Sequence, residues 1–447
     1  MSELRTFGGW RERRGFGVAG LSGTQTGGAL LAVMGTLIVA LLQPAVLTWI
    51  AFPLCAVFAL VLVRVRGESL AGLIDKRVRL RVSGGVRRTS WDAPMPGMLE
   101  GLRVIEATDA GGRQVGLVWM PGESLTALVP VEPLGTELVA DAEVEAWMQG
   151  WSDWLAHLGY AAEVERVAVT VASGPTPVLP AQPTSDQLAA AVVTDLSAVA
   201  RHMRSKTVVS LTLAAPDSSE VTARCAAVLE LVGAGGVLAR CGMSVLPAMS
   251  AEDVSLWVRQ AFDPWLPEGP TTPADMRPTA VEERWATYRH DSAVSACYAW
   301  QEPPGEVVAP QTLVRLLGPA AYPKRVSVVY TPVPAHIAAR EVDRQAEAAL
   351  FRKEYRRRLG RDETARDQVD LQRARRTAQE QATGAGVVDV CMYVAVSATG
   401  DEGIAPVTAD LDSRAGESRV RLRRSYGAQA EVFAATLGLG LVPRRRW

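Results

Sequence analysis

Apolar and polar positions intermingle along most of this chain, but between Arg14 and Arg64 there is no charged side chain at all. A bilayer core of about 30 Å is crossed by about 20 apolar helical residues. The uncharged stretch holds two such lengths, 26–42 and 45–63, separated by Gln43 and Pro44. Proline lacks a backbone donor and clashes with the preceding turn, so Gln43-Pro44 predicts a tight reversal and a two-helix transmembrane hairpin within residues 1–66. Arg11, Arg13 and Arg14 precede the hairpin, and Arg64 and Arg66 follow it. The excess of positive charge on both flanks places both termini and the soluble part on the cytoplasmic side of a bacterial inner membrane. Arg13-Arg14-Gly15-Phe16 partly imitates an export signal, but the apolar stretch is about twice the length of a signal core and holds no A-x-A cleavage pattern.

Beyond the hairpin the pattern predicts an α+β chain of mixed α/β cytoplasmic domains, of which a ferredoxin-like split βαβ unit is one form. A small α+β domain is expected over 67–172, opening with a basic connector suited to anionic headgroups. Strands are expected at 102–107, 114–119 and 165–172, and a helix from Asp141 places Trp147, Trp151 and Trp154 at helical spacing. A tryptophan row of this kind is read as core packing. Pro175, Pro177, Pro180 and Pro183 predict a linker over 173–183. The domain over 184–447 then alternates helices (184–204, 218–232, 251–262, 310–317) with strands (207–214, 236–246, 293–300, 325–330, 387–396). Half of the positions over 340–381 are charged, which predicts a projecting helical arm over 334–382 with a thin apolar seam. Its cations Arg352, Lys353, Arg356, Arg357, Arg358, Arg373, Arg375 and Arg376 form a candidate docking surface. Interleaved acids favour a solvated arm over nucleic-acid binding.

A formal net charge of -1 argues against a dedicated nucleic-acid binder. Five separated cysteines, one within the second span, suit a reducing compartment and neither a disulfide framework nor a zinc site. The lysines are Lys76, Lys206, Lys324 and Lys353, and none follows a glycine, so no P-loop is present. The four histidines show no metal-ligand spacing, and no G-x-S-x-G elbow occurs. His290, Asp291 and Ser292 offer triad residue types, but adjacent positions do not converge on one another. No catalytic, cofactor or metal site is therefore expected, and binding rather than catalysis is the expected role.

At the carboxyl end, an alternating strand over 419–424 precedes Gly427-Ala428-Gln429-Ala430-Glu431-Val432-Phe433-Ala434-Ala435-Thr436-Leu437-Gly438-Leu439-Gly440. This resembles the segment that joins the amino-terminal domain of conjugation-type (type IV secretion) traffic ATPases to their motor, with Gly438 where that family's Leu-Pro-Leu-Gly turn has proline. Residues 373–399 resemble the preceding arm and strand of that domain. The hairpin and the seventeen residues before it look like the PrgI-like two-helix subunit that accompanies such ATPases. The sequence ends at Trp447, where the family's nucleotide-binding domain would begin. The resemblance implies an actinobacterial, ATPase-free scaffold of a conjugation-like secretion system, oligomeric in its complex, with a separate P-loop ATPase, other membrane subunits and the bilayer as partners. A two-helix subunit of type VII secretion and a membrane-bound enzyme are the alternatives.

Overall fold

The computed structural model describes residues 95–175, 203–302, 310–338 and 386–443, except 137, 162, 216–218, 234–235, 268 and 335–336, together with Met34 and residues 64–65, 68–83 and 87–88. The chain divides into two compact units, Trp10–Gly85 and Val86–Pro443, with the terminal residues shared between them. In the first, β1 (Arg64–Val65) and β2 (Glu68–Ser69) pair antiparallel and lead into α1 (Leu70–Ser83). The basic connector is thus helical over most of its length, and its Ile74 and Val78, one turn apart, are exposed. The expected hairpin over 26–42 and 45–63 lies outside the described residues apart from the helical Met34.

The second unit is a mixed α/β structure built on one large sheet in which every ladder is antiparallel. In chain order it contains β3 (Arg87–Arg88), β4 (Arg103–Thr108), β5 (Gln114–Met120), β6 (Ser124–Pro133), α2 (Asp141–Leu158), β7 (Val164–Pro175), β8 (Met203–Ala214), α3 (Val221–Gly233), the short α4 (Gly236–Ala239), β9 (Met243–Val245) and α5 (Ala251–Phe262). It continues through β10 (Ala280–Glu283), β11 (Tyr288–His290), β12 (Ala293–Glu302), the short α6 (Val314–Leu317), β13 (Lys324–Pro332), β14 (Val388–Thr399), α7 (Ile404–Glu417), β15 (Arg421–Arg424) and α8 (Gln429–Ala435).

Strand order shows that this unit is built twice. In the first half β9 and β5 share one side of β6, followed by β8 and β7; in the second, β15 and β11 share one side of β12, followed by β14 and β13. Each half thus has the β-α-β-β-α-β order of a ferredoxin-like unit, preceded by an extra hairpin strand pair. The central strands β7 and β13 join the halves. Two pairs of equivalent strands match in length: β6 and β12 have 10 residues each, β8 and β14 have 12 each. One row across the sheet reads Ala299, Tyr393, Ser327, Thr170, Val208, Pro130, and its midpoint falls between Ser327 and Thr170.

Strands β8 and β14 are covered on both faces, which is why both read as nearly continuous apolar runs. On one face α2 and α3 bury Val129, Leu211 and Leu213 in the first half, while α7 and the turn through α6 bury Tyr298, Val326 and Val394 in the second. On the other face α5, α8 and residues 437–441 bury Leu128, Val208, Cys297 and Tyr393. Helix α5 starts at a capping box: Ser250 Oγ accepts from Asp253 N at 3.2 Å, and Ser250 N donates to the Asp253 carboxylate at 3.0 Å.

Several boundaries differ from the sequence expectation. Met203 and Arg204, expected at the end of a helix, open β8, and the expected strand over 236–246 is the helical α4 followed by the short β9. Of the linker expected over 173–183, Ser173, Gly174 and Pro175 are ladder residues opposite Ser205, Arg204 and Met203, and the rest lies outside the described residues. Strand β6 was hidden by Pro130. Its carbonyl accepts from Leu246 N on the side shared by β5 and β9, and the proline's missing donor falls in the gap between those two partners. Among the described residues one helical stretch, Val221–Ala239, is long and apolar enough to cross a membrane. Its Val228 is fully buried with the α2 and sheet residues and Arg224 pairs with Glu163 and Glu220, while most of the stretch is not buried.

Candidate functional site

The twofold repeat breaks down after the helices α5 and α8, and a cleft results. After α8, residues 437–441 fold back onto the sheet: Thr126 Oγ1 donates to Leu439 O at 3.2 Å and Arg166 Nη1 donates to Gly440 O at 2.5 Å. Gly438 and Gly440 take φ of 69° and 76°, and a β-carbon on either would collide with the sheet threonines Thr170, Thr126 and Thr212. Proline is confined to φ near −65°, so neither glycine position would accept one. After α5, Asp263 and Pro264 follow instead, and Pro264 lines an opening of about 50 Å³.

The floor of that opening is set by sheet register. Lys206, Ala172, Arg325 and Ala395 are direct cross-strand neighbours on β8, β7, β13 and β14, so their side chains share one face. Arg204 lies opposite Gly174 in the next row on that face. The small side chains of Ala172, Gly174 and Ala395 leave space between the cations, and α5 roofs it with Trp257 and Gln260. The Arg325 guanidinium lies 4.4 Å from the Trp257 ring centre, and Lys206 Nζ lies 5.7 Å from it. Trp257 is itself fixed, with Nε1 donating to Leu437 O at 2.8 Å. Arg325 Nη2 donates to Trp257 O at 3.3 Å, whereas Arg325 Nη1 and Gln260 Nε2 are buried without a hydrogen-bond partner. No aspartate or glutamate lines the cleft among the described residues. Burial, and then the neighbouring Arg204, push the Arg325 guanidinium down to about 9, so it remains cationic at neutral pH.

The residues singled out in the sequence lie elsewhere. Gln43, Pro44, Arg11, Arg13, Arg14 and Arg66 are outside the described residues, and Arg64 opens β1. The arm cations Arg352, Lys353, Arg356, Arg357, Arg358, Arg373, Arg375 and Arg376 also lie outside them. The strands on either side of the arm are described: Pro332 pairs with Val388 and Thr331 with Asp389, so the intervening chain leaves and re-enters through the end of one antiparallel ladder. The tryptophan row packs inward, Trp151 meeting Trp154 at 5.1 Å and Tyr330 at 5.4 Å between ring centres. His290 is fully buried, while Asp291 pairs with Arg259 and Ser292 donates to Asp263 at 2.5 Å, so these three do not meet. The cations of the cleft escaped sequence reading because Arg204, Lys206 and Arg325 come from strands of different halves and form no motif.

No known family model matches the chain, and no curated protein matches it significantly.

Proposed function

We propose that this chain is an inner-membrane scaffold of a conjugation-like type IV secretion system, which docks a separate P-loop ATPase and acts by binding rather than by catalysis. The observation that carries the reading is the absence of charge between Arg14 and Arg64, with Arg11, Arg13, Arg14, Arg64 and Arg66 crowding its ends. An uncharged run of that length has its lowest free energy as two spans joined at Gln43-Pro44, with the body on the arginine-rich side. Two features support the docking role. The charged segment belongs to the β13–β14 connection, whose base is pinned by the Pro332–Val388 pair, so a helical arm there would project from a rigid ladder. The carboxyl-terminal residues that resemble the traffic ATPase domain form strand β15, helix α8 and the buried turn after it.

Detergent extracts of the native membrane provide the test. A P-loop ATPase should co-purify with the full-length chain and be lost when residues 340–381 are replaced by a short glycine-serine connector. Equal recovery of the ATPase from both would exclude docking through the arm.

A further inference from the structure

The helix that follows the uncharged run carries an inference that rests on the two-span reading and goes beyond it. We propose that α1 lies along the cytoplasmic surface of the bilayer, with Ile74 and Val78 inserted among the lipid headgroups. Backbone pairing sets its depth. Arg64, the first residue after the expected second span, is the ladder partner of Ser69, the residue before α1. An extended chain from 64 to 69 would carry the start of the helix about 17 Å from the point of exit. The antiparallel pair instead holds it within about 5 Å of Arg64, whichever way the two strands point. With Arg64 at the end of a span, α1 therefore begins at the headgroup layer.

The two sides of α1 differ in exposure. At 3.6 residues per turn, Ile74, Val78 and Arg81 share one side with Asp75 and Arg77 at its margins, and all of these are exposed. Gly72, Leu73, Lys76 and Leu80, on the opposite side, are half-buried. Ile74 and Val78 are 49% and 55% exposed, a solvation that two aliphatic side chains one turn apart shed together on a surface parallel to the helix axis. A protein partner would need more: a stable interface covers about 800 Å² on each side, whereas Asp75 and Arg77 bound this patch closely. A lipid surface needs no complementary shape. It takes apolar side chains about 5–10 Å into the boundary between headgroups and acyl chains and keeps charged heads in the polar layer. Arg81, beyond Val78 on the same side, meets that boundary with its apolar stem and the headgroups with its guanidinium. Two side chains are too few to hold the chain by themselves, so α1 orients it and the spans anchor it.

The test uses the full-length chain in vesicles of phosphatidylethanolamine and phosphatidylglycerol, with the photoreactive residue benzoylphenylalanine placed in turn at Ile74, Val78, Leu138 and Val314. All of these positions are exposed, so the replacement leaves the core intact. After irradiation, the chains labelled at Ile74 and Val78 should gain the mass of a phospholipid, and those labelled at Leu138 and Val314 should gain none. An alkaline wash of the same vesicles separates this proposal from the anchor. A chain that stays in the pellet but forms protein adducts or none at Ile74 and Val78 overturns the interfacial helix alone. Lipid adducts at only one of the two positions, or equally at Leu138 and Val314, overturn it as well. Release of the chain into the wash overturns the anchor on which the proposal rests.

Discussion

Thr170 and Ser327 face each other across the β7–β13 ladder, and Thr170 Oγ1 donates to Ser327 Oγ at 2.9 Å on the pseudo-twofold axis of the sheet. Both residues are buried, so this hydroxyl pair sits at the seam that joins the two halves. Removing one hydroxyl leaves the other to seek a buried partner, whereas removing both leaves little unsatisfied. Ser327→Ala should therefore cost about 1–2 kcal/mol, and Thr170→Val combined with Ser327→Ala should cost less than the two single changes added. Urea unfolding of the four proteins measures the coupling, and strict additivity would contradict it.

The turn after α8 is set by two glycines in the left-handed region. Gly440→Ala combines an unfavourable φ with collision against Thr126 and Thr212, and should destabilise by about 2–4 kcal/mol. Gly438→Pro should be worse, because a proline ring excludes the observed φ of 69°. Denaturant midpoints of the two variants test the order. A neutral Gly438→Pro would show that the backbone here differs from the one described.

His290 makes stability depend on acidity. Its ring is enclosed by Phe262, Tyr288 and Phe433, and burial holds it down at about 4 against an ordinary 6.5. Phe262 O only accepts, so Nδ1 carries the proton at 2.6 Å and Nε2 accepts from Ser295 Oγ at 2.7 Å, which in turn accepts from Ser397. Between pH 6.5 and 4 the unfolded chain binds this proton and the folded chain does not, so stability falls as pH drops through that window. The loss assigned to His290 is on the order of 3 kcal/mol. Unfolding curves from pH 7 to 4 should be steeper in pH for the native protein than for His290→Gln, and equal slopes would contradict the neutral buried ring.

Lys324 acts at the opposite end of the pH range. Its ammonium is buried and donates to Leu316 O at 2.5 Å and Gly318 O at 2.6 Å, closing the carboxyl end of α6. Burial, with Arg414 nearby, pushes it down to about 8. The unfolded chain holds the extra proton from pH 8 to 10.5, so stability should rise with pH over that interval. Lys324→Met should flatten the rise in a chemical denaturation series, and an unchanged slope would assign it to other groups.

Fold elements that obey a single local rule were legible in the sequence. The capping box and apolar face of α5 fix its ends at Ala251 and Phe262, and the apolar runs of β8 and β14 mark two strands covered on both faces. Strand β6 was obscured by Pro130, whose missing donor is harmless only because of where β5 stops and β9 begins. The three-residue β11 and four-residue β10 are too short to show a period, and α7 buries only Leu411 and Ala415 fully. The repeat was invisible because equivalent positions share burial rather than residue type, as Thr170 and Ser327 or Val208 and Tyr393 show. The cleft was equally hidden, since its charges converge only through register.

Membrane anchoring is tested most directly by washing membranes at alkaline pH and following the full-length, uncleaved chain. A two-span anchor predicts that it stays in the pellet and is released only by detergent. Recovery of the intact chain in the aqueous wash would contradict the anchor and the scaffold role that depends on it.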